Sequence, residues 1–305
     1  MHSHQWPSEK SKKTKTETQI ERNIASLSSE ISTPQTGPPA TAFAPVISPL
    51  KLRLLVAIAT QMKRICKTGD VAQAFCQSVL PDDEQYVIKP PHGCPITPSA
   101  TYLLLKKTLY GLRRSSRHWY NTCKKTLAEI GLFLLPNAPC IFTGTILDGE
   151  PPIYLGLFVD DFIYFSASDS VEKSFEEQFA KHFETDFQGE VKHFLGINFT
   201  NVRHDDNDHL TVHMNQKNDA IDLIIRAQLD DPATASKPTP YRSGHPVDSV
   251  PDIDLPIHER QALNKALQEY VGSLNWLSCQ TRPDLATITN IISQYNNNCS
   301  PGHID

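Results

Sequence analysis

Two adjacent carboxylates, Asp160 and Asp161, are the residues of this chain best suited to chemistry. They stand between two apolar runs, residues 153–159 and 162–165, so the pattern predicts two strands joined at an acidic turn. Adjacent aspartates inside a strand would point to opposite faces, whereas at a tight turn both can reach solvent or an ion. A hairpin turn without chemistry is the competing interpretation, because Asp is common in turns.

A third carboxylate, Asp70, favours a metal site over a plain turn. It follows an amphipathic stretch at residues 52–66 and opens the segment 70–75. Three carboxylates can hold two divalent ions, and hard cations prefer oxygen ligands. Two Mg²⁺ ions about 4 Å apart serve in-line phosphoryl transfer, because they activate the attacking oxygen and neutralise charge on the leaving one. The three aspartates therefore predict a two-metal site.

Apolar periodicity and capping signals predict the elements that must position these aspartates. A helix over residues 50–66 leads into the strand that carries Asp70. Ser115 or Ser116 is expected to cap a helix that runs to about residue 130, and Asp169 with Glu172 resembles a capping box. Further strands are predicted at 86–88, 102–105, 194–202 and 210–213, and further helices at 218–228 and 257–279, with a last helix ending near 295.

Six ordered motifs resemble the reverse transcriptases of copia-type long-terminal-repeat retrotransposons. Residues 70–75 resemble the family's first catalytic segment, and 109–114 with the aromatic pair 119–120 resemble its nucleotide-side segment. Residues 158–161 resemble the Tyr-Val-Asp-Asp signature with Phe in place of Tyr. The remaining matches are 194–197, which resembles the segment that grips the primer end, the start of the next helical stretch at 216–217, and the later signature at 270–274 and 281–284.

The resemblance implies an α+β fold with a right-hand polymerase palm, in which helices pack on an antiparallel sheet. Residues 1–41 are predicted to form a disordered tail, because they contain few large apolar side chains. Residues 42–215 would form the palm with partial fingers, and 216–305 a helical thumb or connection segment with a proline-rich tether. The chain resembles a truncated fragment of the Pol polyprotein from which most of the fingers region is missing.

The resemblance also implies roles for individual residues. Asp70 and Asp160 would be the principal ligands of two Mg²⁺ or Mn²⁺ ions, assisted by the Val71 carbonyl and supported by Asp161. Phe75 would be the bulky ring that excludes a ribose 2′-hydroxyl. Other residues would bind the nucleotide (Tyr110, Gly111, Arg113 and Arg114) or grip the primer (Phe194, Leu195 and Gly196). The implied substrates are deoxynucleoside triphosphates and a primer on an RNA or DNA template.

Charge and hydropathy add two expectations. The formal net charge is −5, yet residues 85–128 contain no Asp or Glu and carry eight Lys and Arg side chains, which predicts a phosphate-binding surface. For Lys124 and Lys125 a solvated helix face is the preferred interpretation. No apolar stretch approaches the roughly 20 residues of a membrane span, so an intracellular protein without a membrane segment is expected.

Two functions stay open at this point. The intact aspartate triad favours an RNA-directed DNA polymerase core that extends a primer 3′-hydroxyl. The expected loss of the fingers favours a catalytically silent, decayed or domesticated retroelement remnant that at most binds nucleic acid, because positioning supplies much of the rate in phosphoryl transfer.

Overall fold

The computed structural model describes residues 42–89, 102–205, 209–231, 239–240 and 255–303. The predicted tail at 1–41, residues 90–101 and most of the predicted proline-rich tether, at 232–238 and 241–254, lie outside these ranges. The chain forms two compact units, divided so that residues 67–189 belong to the first and residues 48–66 and 190–305 to the second. Both units contain antiparallel strands and helices, which agrees with the α+β class at this level.

The predicted helices and strands occur in the predicted order. The helices are α1 (Pro49–Gln61), α2 (Ser115–Glu129), α3 (Asp169–Phe179), α4 (Lys217–Arg226), α5 (Ile257–Gln280) and α6 (Ala286–Ser293). The strands are β1 (Lys67–Val71), β2 (Val87–Ile88), β3 (Leu103–Leu104), β4 (Phe133–Leu134), β5 (Ile141–Gly144), β6 (Ile153–Phe158), β7 (Asp161–Ser166), β8 (Thr185–Glu190), β9 (His193–Phe194), β10 (Ile197–His204) and β11 (His209–Asn215). Strands β4, β5 and β8 were not predicted, and the predicted strand 194–202 is divided by a turn into β9 and β10.

A six-stranded sheet, in the order β4-β5-β6-β7-β1-β8, is the main sheet of the first unit. Its interior strand β7 is buried on both faces, since four consecutive side chains, Phe162 to Phe165, are fully buried and successive side chains point to opposite faces. Such a strand has a continuous apolar run rather than an alternating one, which is the pattern that predicted it. The sheet therefore provides a rigid base for Asp161, the first residue of β7.

Helix α2 buries Trp119, Cys123 and Leu127, as its periodicity predicts. Its end is also confirmed, because Gly131 has a φ of +90° just beyond it. The predicted cap is wrong: the N-cap position is Arg114, and Ser115 lies inside the first turn. The Ser115 hydroxyl instead donates a hydrogen bond to the Leu109 carbonyl at 2.5 Å, so it fastens the preceding turn to the helix.

Helix α3 exists where predicted, but the capping box is wrong. Ser168 occupies the N-cap position rather than Asp169. The Glu172 carboxylate is almost fully buried and accepts a hydrogen bond from the Ser166 amide at 2.9 Å. It also pairs with the Lys67 ammonium on β1 at 3.0 Å. Glu172 therefore joins α3 to the sheet rather than closing its own helix start.

The second unit contains α1, the strands β9, β10 and β11, and the helices α4 to α6. Strands β10 and β11 pair over the whole length from Asn198↔Asn215 to His204↔His209, which confirms the predicted hairpin. Helix α1 buries Leu52, Leu55, Val56 and Ala59. Among the described residues, no helix combines the length and apolar character needed to cross a membrane.

Candidate active site

The predicted hairpin is present, but its two-residue loop lies one position earlier than predicted, so Asp161 begins β7. Phe158 and Asp161 are the last paired residues of β6 and β7, so Val159 and Asp160 form the loop. Val159 has a φ of +56°, which is unfavourable for a β-branched residue and occurs at the first central position, as in a type II′ turn. The indole N–H of the buried Trp119 donates to the Val159 carbonyl at 2.5 Å. Helix α2 therefore holds a strained acidic loop in place.

The third aspartate reaches the same place through sheet register. Strand β1 is antiparallel to β7, and Asp70 is the direct partner of Asp161. Directly opposed residues project from the same face with Cβ atoms about 5 Å apart. The Val71 amide donates to the Asp160 carbonyl at 3.0 Å, which ties the end of β1 to the hairpin loop. The structure thus brings Asp70, Asp160 and Asp161 together at one end of the sheet.

The three carboxylates influence one another electrostatically. The pKa of Asp161 is raised from its ordinary 3.8 to about 6, first by burial and then by the negative charges of Asp160 and Asp70. Each charge disfavours ionisation of its neighbour, and a bound cation would remove that cost. The raised pKa therefore marks a place where a cation is electrostatically favourable.

The donor set fits Mg²⁺ or Mn²⁺ in its chemistry, because it consists of carboxylate oxygens. The side chains do not form a closed ligand set in their present conformations. Within the described ranges, no group of three or more His, Cys, Asp or Glu side chains converges closely enough to hold a metal ion. The backbone brings the three aspartates together, whereas their carboxylates would have to turn inward to share an ion.

Phe75 and Tyr110, predicted to bind the nucleotide, lie against each other. Phe75 stands in a 3-10 turn, Ala74–Gln77, just after β1, and its ring centroid is 4.7 Å from that of Tyr110. The side-chain hydroxyl of Thr108 donates to the Phe75 carbonyl, which also joins the two segments. Gly111 has a φ of +91°, which allows the chain to turn directly after Tyr110.

The two predicted arginines differ in their surroundings. Arg113 is exposed. Arg114 forms an ion pair with Glu84, whose Oε1 lies 2.5 Å from the Arg114 Nη1. The sequence did not predict this role for Glu84, because no local pattern links it to Arg114, which lies 30 positions later in the chain.

The predicted primer-grip residues form a second tight turn, in the second unit. Phe194 pairs with Ile197, so Leu195 and Gly196 form the loop, with φ values of +49° and +75°. Positive φ at both central positions is typical of a type I′ turn. Glycine suits the positive φ at position 196, and a Cβ atom there would also make a tight contact of 3.2 Å with the Trp276 ring.

Six of the eight basic side chains in residues 85–128 are exposed, whereas Arg114 and Arg117 are half-buried. Lys124 and Lys125 lie on the outer face of α2, and Lys125 makes a loose pair with Glu129 at 3.9 Å. This contact supports the solvated-face interpretation for these two lysines. The Arg117 guanidinium donates to the Phe43 carbonyl at 3.3 Å. Lys106 and Lys107 are exposed and lie just before Tyr110 in the chain.

Comparison with known proteins defines the class to which this fold and site belong. The family described as "Reverse transcriptase (RNA-dependent DNA polymerase)" matches residues 25–239. The match covers well over half of the chain, and the chain therefore belongs to this family of reverse transcriptases.

The similar proteins are Pol polyproteins of copia-type transposons. The chain is 26% identical over 256 residues to the "Retrovirus-related Pol polyprotein from transposon RE2" of Arabidopsis thaliana, and 25% identical to that from transposon RE1. It is 22% identical over 263 residues to the polyprotein from transposon TNT 1-94 of Nicotiana tabacum. These matches cover 84% to 86% of this chain but only 16% to 19% of the relatives.

Proposed function

We propose that this chain is an RNA-directed DNA polymerase core, which adds deoxynucleotides to a primer 3′-hydroxyl on an RNA or DNA template, inside the cell. One observation carries the proposal: strand register places Asp70 opposite Asp161, beside the hairpin loop that contains Asp160. Family membership supports it, because the matched family is named for this reaction. The sheet that bears these aspartates would be the palm of a right-hand polymerase.

Asp70 and Asp160 are proposed to hold two Mg²⁺ or Mn²⁺ ions, together with the Val71 carbonyl. When bound, such ions lower the cost of the negative charge that develops at the attacking and leaving oxygens. Asp161 supports the pair from β7, and its pKa is raised first by burial and then by the charges of Asp160 and Asp70. The Trp119 hydrogen bond to Val159 fixes the loop, so the position of Asp160 does not have to be established anew in each cycle.

Phe75, Tyr110, Gly111, Arg113 and Arg114 are proposed to form the nucleotide side of the site. The Phe75 ring is half-buried against Tyr110, which limits its movement. A ring fixed in this way excludes a ribose 2′-hydroxyl by steric overlap. The exposed guanidinium of Arg113 is suited to a triphosphate, which it can bind through two hydrogen bonds at once.

Phe194, Leu195 and Gly196 are proposed to contact the primer end. They form a tight turn in which both central residues have positive φ and Gly196 lies against Trp276. Residues 42–215 would then act as the palm with partial fingers, and 216–305 as the thumb or connection segment. These assignments remain predictions.

Primer extension tests the proposal. The purified chain is given oligo(dT) on poly(rA), dTTP and either Mg²⁺ or Mn²⁺, beside an Asp160→Asn variant. We expect extension by the wild type only, with primer–template affinity, measured by fluorescence anisotropy, nearly equal in the two proteins. Loss of affinity in the variant would contradict a catalytic role for Asp160, because a metal ligand should affect turnover more than nucleic-acid binding.

A catalytically silent protein that binds nucleic acid is the second candidate. It is favoured by the pairing of Arg114 with Glu84, which uses part of the positive charge on the nucleotide side. Salt-dependent binding of primer–template by a folded wild-type chain that does not extend the primer would establish this alternative.

A further inference from the structure

Glu84 lies at the centre of a polar cluster beside the proposed nucleotide side. Its side chain is only 10% exposed, and its carboxylate accepts three hydrogen bonds. The donors are Arg114 Nη1 at 2.5 Å, His118 Nε2 at 3.0 Å and the Tyr86 hydroxyl at 3.2 Å. These four residues, Glu84, Tyr86, Arg114 and His118, are called the Glu84 cluster below.

The Glu84 carboxylate is the shared acceptor of all three hydrogen bonds in the cluster. An ionised carboxylate only accepts hydrogen bonds, so His118 must carry a proton on Nε2. Burial, followed by the charge and hydrogen bond of Glu84, raises the pKa of Tyr86, which keeps its hydroxyl a donor. Removal of one member would leave a largely buried polar group without its partner, which is a costly change.

Arg114 is poorly placed to contact a triphosphate itself. Its Nη1 is engaged with Glu84, and its Nε is buried with no hydrogen-bond partner among the described residues. The neighbouring Arg113, in contrast, is exposed. The Arg114 side chain is 34% exposed but its charge is paired with Glu84, whereas Arg113 remains available to an anion.

The cluster anchors the C-terminal end of one short segment, residues 109–115. Arg114 is the N-cap residue of α2, and His118 lies in the first turns of that helix. The segment 109–115 is closed by hydrogen bonds from the Leu112 amide to the Leu109 carbonyl and from the Ser115 amide to the Leu112 carbonyl. Tyr110, which contacts Phe75, lies within this segment.

We propose that Glu84 is a positioning residue for nucleotide binding, which acts through Arg114 and His118 to fix the 109–115 segment. Fixing the segment holds Tyr110 and Arg113 in one arrangement before a nucleotide arrives. Binding then costs less ordering entropy, and the nucleotide binds more tightly. This inference rests on the proposed function, and it assigns Arg114 to positioning rather than to contact with phosphate.

The first test separates positioning from direct contact. KM and kcat for dTTP are measured in primer extension for the wild type, Glu84→Gln, Arg114→Gln and the double variant. We expect KM to rise about tenfold in each single variant, with kcat changed less than about twofold. The KM of the double variant should not exceed the higher of the two single-variant KM values, because both changes disrupt the same unit.

Direct contact between Arg114 and the triphosphate predicts a different change in KM for the Glu84→Gln variant. If Arg114 binds the triphosphate, Glu84 competes for it, and Glu84→Gln should leave KM unchanged or lower it. Either result would overturn the proposal. Asp83→Asn removes a neighbouring exposed charge and serves as the matched control, with no change in KM expected. If Arg114→Gln does not fold, Arg114→Lys keeps the charge but loses the planar guanidinium, and KM should still rise about threefold.

Hydrogen exchange of the same variants provides an arm that needs no catalysis. We expect the amides of Leu112 and Ser115 to exchange about tenfold faster in Glu84→Gln than in the wild type, with no change in the β6–β7 hairpin. Unchanged exchange at both amides would overturn the proposal. A wild-type chain that cannot extend a primer would refute the proposed function instead, while exchange would still decide whether Glu84 fixes the segment.

Discussion

Replacing Asp161 by Asn should stabilise the protein at neutral pH in the absence of divalent ions. Asp161 lies within reach of the charges of Asp160 and Asp70, and its pKa is raised from 3.8 to about 6. An amide has nearly the same shape and carries no charge, so it removes both the repulsion and part of the cost of burial. The variant should gain free energy of unfolding while losing polymerase activity.

The magnitude follows from the pKa. A rise from 3.8 to about 6 would correspond to about 3 kcal/mol of unfolding free energy if it acted in full. The carboxyl is only half-buried, and solvent screening reduces the expected gain to about 1 kcal/mol. Between pH 4 and 6 the folded state binds a proton that the unfolded state releases, so this contribution to stability falls as pH rises. The advantage of the variant should therefore be complete above pH 7 and shrink towards pH 4.

The assay is urea denaturation with EDTA at pH 7.5 and pH 5, compared with an Asp186→Asn control. Asp186 lies exposed on β8 of the same sheet, so its replacement should change stability by less than about 0.5 kcal/mol. Equal or lower stability of Asp161→Asn at pH 7.5, or an advantage that grows on acidification, would show that the three carboxylates do not repel one another as argued.

Two further changes test the packing that positions the site. Trp119→Phe removes the N–H bonded to the Val159 carbonyl and should cost about 1–3 kcal/mol in urea denaturation, with reduced primer extension; unchanged stability and activity would contradict the anchoring role. Gly69→Ala would place a Cβ atom 2.4 Å from the buried Phe162 ring and should lower the melting temperature, whereas Gly272→Ala, in an open position of α5, should not lower it. Equal melting temperatures for the two alanine variants would refute the close packing at Gly69.

The parts of the site that sequence predicted depend on local patterns. The acidic hairpin follows from two apolar runs separated by a short polar break, and Asp70 follows from its place after the amphipathic stretch 52–66, at the start of the segment 70–75. The opposition of Asp70 and Asp161 is a matter of register between strands 90 residues apart. The motif order indicated that these residues belong together, while the register itself had to come from the structure.

The features that the sequence did not predict depend on partners outside the local motif. Ser115 was expected to cap α2, but its hydroxyl bonds to the Leu109 carbonyl. Glu172 was expected to close a capping box, but its carboxylate is used by Ser166 and Lys67. In each case a partner outside the helix competes with the one inside the motif, and the local motif alone cannot decide between them. The ion pair between Glu84 and Arg114 could not be predicted for the same reason.

The account depends most on the claim that Asp70, Asp160 and Asp161 form one divalent-cation site. Electron paramagnetic resonance can count Mn²⁺ ions bound to the chain in the presence of a dideoxy-terminated primer, template and the matching triphosphate. We predict two bound ions in the wild type and in Asp186→Asn, and weakened binding in Asp70→Asn and Asp160→Asn. Unchanged Mn²⁺ binding in both Asp70→Asn and Asp160→Asn would contradict the claim.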